Sequence, residues 1–568
     1  MKSKKLVAVV LTLAMTATTA LVGCGGTKSE TGQTSAQPDK DQYLNLVLAQ
    51  EPKTLDPSKS TDLYSSQVLS ETQEALTRIE QDANGKDVIK PAGAEKWDVS
   101  PDGLTWTFHL RDFKWSDGQK VKASEYEYAI KRTLDPKTAS QYSFLLMPIK
   151  GAAEYNDPKK NASPDVVGVK ALDDKTLEIK LEGPCAYFLN ITYFKVMMPQ
   201  RKDKVDAAAG KFGTEANTMV FSGPFTITNW VHGNKVELAK NKEYWDAKSV
   251  KLDKVTMNIV KEEQTRMTEL LNGSLDSLAV SKPEWTQKFD QTGKFNVIKG
   301  YDPSTSYIFT NEKVKLFSNV KVRKAISLAT DREGFVKTLY NGLAYPAYGW
   351  CPPSLQIGGK DFRKTVNYEP IKTLAEENKD AKALFIEGLK ELGMDPDPSK
   401  ITFNMLEAGT DQTSKQFAEF QQQMFQKALG VTVKVEYVEW PVFQKRTDDM
   451  QYEMASMAWS GDYNDPMTEF DMWESNAGIV PTGWSNPKYD ELVKKAGSLG
   501  ADKNDERADL FKQAEKILLY DDAVISPTVY RMRNTYRAKY VKNLMSPLFG
   551  SGSEFKYAYT QGRPAGTK

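Results

Sequence analysis

Two stretches constrain the fold of this chain more than any other feature, because each runs strand, helix, strand with its own punctuation. In "VTMNIVKEEQTRMTELLNGSLDSLAV" (255–280) a strand pattern gives way to a helical one, and Asn272-Gly273 supplies the stop signal. In "ITFNMLEAGTDQTSKQFAEFQQQMFQKALGVTVKVEYVEW" (401–440) the order recurs, with Gly430 closing the helix. Such units predict largely parallel sheets covered by helices, hence a mixed α/β protein. Strict alternation in "LTWTFHL" (104–110) places Leu104, Trp106, Phe108 and Leu110 on one face of a further strand. "FKWSDGQKV" (113–121) carries an Asp-Gly turn, and "SEYE" (124–127) has the spacing of a capping box with Ser124 at the cap and Glu127 closing it. The proline of "LDP" (134–136) should stop the helix that box opens. "TLEIKL" (176–181) and "PFTITNWVHGNKVELA" (224–239) read as more strands, the second turning at His232-Gly233-Asn234. No internal repeat is visible, which removes solenoids and propellers.

At 568 residues the chain exceeds one ordinary core, so two or three lobes are expected. Several α/β lobes in one chain fit a cleft protein whose ligand lies between them. Lysine plus arginine (76) nearly cancels aspartate plus glutamate (75), leaving no electrostatic reason to expect a nucleic-acid partner. The two histidines, His109 on the polar face of its strand and His232 in a turn, are both expected at the surface. The commonest general base and metal ligand is thus scarce, and neither a metal nor another cofactor is expected. The HExxH, GxSxG, CxxC and GxxxxGK[ST] patterns are all missing. The acidic pairs at 448–449 and 521–522 read as solvated surface. A binding protein needs none of these motifs, and an enzyme is not expected.

The first residues address the compartment. "MKSKK" is a basic start, "LVAVVLTLAMTATTA" an apolar stretch ending in small residues, and "LVGC" follows at 21–24. This reads as a signal peptide over 1–23. "LVGC" resembles the bacterial lipobox, which implies cleavage before Cys24 and a lipid on its thiol. Residues 24–41 are small and polar and suit a flexible tether, so the protein is expected outside the cytoplasmic membrane and anchored to it. Cys185 and Cys351 could form one disulfide in an oxidising compartment, but read rather as free, partly buried thiols.

One further run stands out. "MAWSGDYNDP" (457–466) sets Asp462 among aromatics, a glycine and a proline, with no basic residue in the run. Asp465, just before Pro466, suits the duty of capping that turn. Asp462 is left over.

Several stretches together resemble the family 5 bacterial extracellular solute-binding proteins, the ligand-capturing subunits of ABC importers. "AEKWDVSPDGLTWTFHLRDFKWSDGQKVKASEYEYAIKRTLDP" (94–136) is similar to the family's signature region. "EPKTLDP" (51–57), "SGPFTITNWVHGNKVELAKNKEYW" (222–245), "KVRKAISLATDRE" (321–333) and "WSGDYNDP" (459–466) follow in the family's order, and the last looks most like the oligopeptide-binding branch. The resemblance implies a two-lobed periplasmic-binding-protein-like fold, with a hinge and an extra domain on the first lobe. Domain I would take 42–72, 203–303 and 530–568, the extra domain 73–202, and the second lobe 304–529. It implies a monomeric receptor that closes on an oligopeptide and presents it to membrane permease subunits.

By the same resemblance Asp462 would hold the peptide's α-ammonium group. The main chain at Thr61, Asp62 and Leu63 and at Ala458, Trp459 and Ser460 would bond the peptide backbone, and Tyr142, Trp440 and Trp459 would line the pocket. Thr338, Thr413 and Ser456 stand where enterobacterial relatives carry the basic groups that meet a peptide's C-terminus, so a strict length preference is not implied. Ser304 and Ser460 stand where those relatives have a disulfide. Rival readings keep the fold and change the cargo to a signalling peptide, an oligosaccharide, a nickel complex or haem, or make the protein an extracytoplasmic chaperone or enzyme.

Overall fold

Three sheets carry the architecture of the computed structural model, which describes residues 37–280, 282–475 and 477–564. The signal peptide, Cys24 and nearly all of the tether lie outside these residues. In the first sheet Tyr43–Leu48 runs parallel to Lys254–Ile259, followed by Lys235–Lys240 and Phe225–Val231. Leu44, Leu46 and Leu48 alternate inward onto a core with Val236, Leu238, Val255 and Met257, as a half-buried strand requires. A second four-stranded sheet joins Ala94–Val99, Thr105–Leu110, Thr176–Lys180 and Val169–Ala171, all antiparallel. Phe108 and Leu110 are buried beneath it as the alternation predicts, and Trp106 is half-buried against Phe188.

The third sheet has seven strands and is organised by two long ones, Phe295–Thr310 and Ile525–Ala538. They pair antiparallel, with the register shifting between Tyr301 and Thr305. On one side of the shift Phe295 packs with Tyr536 and Phe289; on the other Tyr307 and Phe309 enter the largest core. A bulge at that point bends the pair and separates its two halves.

The second strand–helix–strand unit forms as predicted. Thr402–Ala408 and Thr432–Val438 are parallel, joined by the helix Gln412–Leu429, whose Asp411 caps the start and Gly430, at φ 83°, the end. The first does not close one sheet. Its helix Glu263–Asn272 ends at Gly273 as expected, but Lys254–Ile259 lies in the first sheet and Ser277–Ala279 pairs antiparallel with Ile525–Ala538. Just before that strand Asp276 is fully buried and accepts from the Asn45 N–H, the Tyr540 hydroxyl and both terminal nitrogens of Arg563, so it ties the first sheet to the segment that follows Ile525–Ala538. Among the described ladders, antiparallel pairing therefore predominates over the expected parallel one.

Other local expectations also need correcting. The helix Ala123–Leu134 stops where the proline predicts, but its cap is Lys122, whose N–H is received by Glu125. Glu125 is recruited because its carboxylate also accepts the Trp115 indole, while Glu127 instead takes the Ala171 N–H and pairs with Lys131. Asp522 is no idle surface acid, since its carboxylate accepts from Trp484 and Asn486 and its carbonyl from Arg323. His109 and His232 do lie near the surface, on Asp98 and on Glu51 and Glu215. Cys185 and Cys351 are free, and burial pushes the Cys185 thiol up to about 12.

Candidate binding site

The strand Met454–Ser460 sets up the site. One edge is fully used, pairing from Thr310↔Met454 to Ser304↔Ser460. The other pairs with Thr402–Ala408 only at Met454 and Ala455. Beyond Ala455 that edge has no partner strand among the described residues, so Ser456 to Ser460 present main-chain groups for an added strand. Trp459 points into the core and donates its indole N–H to the Thr468 carbonyl.

At Gly461 the chain turns, anchored by the Gly461 N–H on the Pro303 carbonyl. The next residues divide the work of the two aspartates. Asp465 accepts the Met467 N–H and forms a bidentate pair with the fully buried Arg507, at 2.7 and 2.9 Å. Tyr463 is buried between, its ring stacked on Tyr187 with centroids 5.4 Å apart.

Asp462 has its backbone satisfied and its side chain nearly free. Its N–H goes to the Thr468 hydroxyl, and its carbonyl receives the Tyr193 hydroxyl and the Gly550 N–H. Oδ1 has one long contact, 3.5 Å from the Tyr142 hydroxyl, while Oδ2 is buried without a hydrogen-bond partner among the described residues. Burial pushes the carboxyl up to about 7; Lys195 and the Tyr142 hydrogen bond pull the other way. Neighbouring Glu469 and Asp471 are buried as well, and burial raises both well above the usual carboxylate range. The first sheet's side contributes the N-terminus of the helix Leu63–Thr72, capped by Asp62, which accepts from Ser65 at 2.7 and 2.8 Å. Thr61 Oγ1 is buried there without a hydrogen-bond partner among the described residues, and Leu63 is exposed.

Sequence reasoning missed Lys195. It is buried, donates to the Ser66 hydroxyl at 2.9 Å, and lies 4.5 Å from the centre of the Tyr142 ring. Burial lowers its pKa to about 8 against the opposing charges of Asp462 and Asp62. A lysine inside the apolar run "ITYFKVMMP" (191–199) was the available signal.

The structure thus brings Asp462 and Tyr142 into direct contact, with Lys195 against the Tyr142 ring. Trp440 opens the helix Trp440–Asp448 with its ring stacked on Phe443, and no hydrogen bond or ring contact ties it to Asp462 among the described residues. Of the three positions lacking basic groups, Thr338 is exposed, Thr413 donates to Glu263 and Ser456 to Glu407, each at 2.6 Å. Ser304 and Ser460 are register partners in the sheet.

An open strand edge ending at a buried carboxylate oxygen with no hydrogen-bond partner among the described residues is the arrangement of a binding protein. The chain belongs to the bacterial extracellular solute-binding proteins of family 5, matching the family's middle region over residues 88–480. It is 33% identical to the oligopeptide-binding protein OppA of Bacillus subtilis (strain 168) over 562 residues, 97% of this chain and 98% of that one. The substrate-binding domain of an oligopeptide ABC transporter from Bacillus anthracis str. Ames superposes with a TM-score of 0.84 at 33% identity, over 92% of this chain and 99% of that one. Listeria monocytogenes OppA bound to peptide gives 0.82 at 29% identity, over 92% and 99%. The fold is the mixed α/β fold of OppA-type periplasmic binding proteins.

Proposed function

We propose that this protein is a lipid-anchored extracytoplasmic receptor that captures oligopeptides between two lobes and delivers them to an ABC importer. The observation that carries the reading is Asp462, whose buried Oδ2 lacks a hydrogen-bond partner among the described residues, at the end of a strand edge that none of them pairs. A peptide's α-ammonium group brings a unit charge and three donors to an acceptor-only carboxylate, and its backbone supplies the missing strand. At an effective dielectric near 20 such a pair contributes ~4 kcal/mol. Main chain at Ala458 to Ser460 and at Thr61 to Leu63 would bond the peptide without reading its side chains, with Tyr142 and Trp440 lining its path.

The register shift between Tyr301 and Thr305 is the natural hinge, at the boundary between a first domain (42–72, 203–303, 530–568) and a second lobe (304–529). Residues 73–202 would form the extra domain on the first. Lipid at Cys24 would keep the receptor beside its permease, and a monomer suffices for this work. Peptide names among the relatives support the cargo.

Residues 27–568, stripped of ligand by unfolding and refolding, should retain peptides from a mixed digest, read by mass spectrometry. Retention of oligosaccharides, nickel complexes or haem in place of peptides would contradict the reading.

The pair of buried charges also predicts a pH dependence. Asp462 must be ionised to hold an ammonium group, and its carboxyl sits at about 7. Affinity should therefore fall roughly tenfold per pH unit as the solution is acidified below 7. Lys195→Met removes the charge that lowers Asp462's pKa, so the acid limb should move to higher pH. Calorimetric titrations from pH 5.5 to 8.5 measure both; an acid limb unchanged by Lys195→Met would contradict the role given to Lys195.

A further inference from the structure

A cavity of about 260 Å3 opens beside the same strand, bounded by Ser456, Met457 and Ala458 and by Ser306, Ile308 and Thr528 from its neighbours. Its other walls are aromatic. Phe335, Tyr340 and Phe417 line it, with Tyr340 edge-on to Phe417 at 5.3 Å between centroids. Tyr340 is delivered by a single π-helical turn, Val336–Tyr340, which ends at Asn341 with φ 46°. Such turns are costly and recur at functional sites.

On the side of Glu407 the polar wall is made of acceptors. Ser456 spends its proton on Glu407 at 2.6 Å and accepts from the Gln421 amide. Gln421, 2% exposed, donates its amide nitrogen to Glu407 and Ser456, and its Oε1 is buried without a partner among the described residues. An unpaired buried acceptor costs free energy that a donor can recover. Glu407 behind them opposes an anion, and Arg531, which lines the same cavity, opposes a cation. What remains is a neutral group with an aromatic body and a donor at its tip.

We propose that this cavity is a side-chain subsite for a tyrosine of the captured peptide, the ring against Phe335, Tyr340 and Phe417 and the phenol donating its one proton to Gln421 Oε1, which Ser456 holds in place by accepting from the same amide. The inference rests on the peptide-receptor reading and narrows its ligand class. Pockets for alternate side chains give sequence preference to a receptor that otherwise holds main chain.

The test is a set of free-amine heptapeptides of alanine in which one tyrosine is walked through the positions, with phenylalanine and lysine series in parallel. Titrations are run at pH 8, above the value of about 7 to which burial raises Glu407. At one position the tyrosine peptide should bind about three- to tenfold more tightly than its phenylalanine counterpart. Gln421→Leu should bring the two level without weakening the phenylalanine peptide. Ser456→Ala, a smaller change, should narrow the gap in the same direction. Equal affinities for tyrosine and phenylalanine at every position would overturn the subsite while leaving peptide capture intact, as would a lysine peptide that binds tightest. If no peptide binds at all, the receptor reading falls and the subsite with it.

Discussion

Asp462→Asn is expected to weaken capture of a free-amine peptide by about 3–5 kcal/mol, which is two to nearly four orders of magnitude in affinity. The size follows from burial. In the wild-type complex the ammonium group is taken out of water against a carboxylate in a closed site; with asparagine the cation is stranded with a neutral amide. The substitution leaves the local frame intact, because the hydrogen bonds to Thr468, Tyr193 and Gly550 are made by the Asp462 backbone. The loss should appear mainly as faster dissociation, since Coulomb steering by one buried charge is slight. A nickel or sugar ligand has no α-ammonium group and would show no comparable change.

Arg507→Met is expected to lower the unfolding free energy by about 3–5 kcal/mol, measured by denaturant titration. Arg507 and Asp465 are buried together in a bidentate pair, and Arg507 also donates to the Ala496 carbonyl. Removing the guanidinium leaves the Asp465 carboxylate uncompensated in the interior, directly under the turn that presents Asp462. Adding Asp465→Asn removes the stranded charge and keeps an acceptor for the Met467 N–H. The double variant should therefore recover most of the loss. A single variant as stable as wild type would mean that Asp465 is solvated or neutral in the folded protein.

The contrast between these two aspartates shows what sequence could and could not reveal. Their environment, aromatic and free of bases, is written in "MAWSGDYNDP", and the caps at Gly273, Gly430 and Asp411 are equally local. Features set by distant partners were not legible. Lys122 took the helix cap expected of Ser124, and Glu125, which also accepts the Trp115 indole from another loop, took the closing role expected of Glu127. Ser277–Ala279 pairs with Ile525–Ala538, a strand far along the chain that no local pattern announces. Tyr142 and Asp462 meet although 320 residues separate them in sequence; the family resemblance alone put both at one site, and no periodicity announces such a contact. Lys195 is the instructive omission, a charge whose only visible oddity was the apolar company it kept. The chemistry of Ser456 likewise became readable only when Glu407 was found behind it.

The central claim, that Asp462 holds a peptide's α-ammonium group, is tested most directly by titrating the wild-type protein with one hexapeptide in two forms, free at the amine and N-acetylated. The free peptide should bind at least a hundredfold more tightly at pH 7.5. Equal affinity for the two forms would contradict the assignment of Asp462.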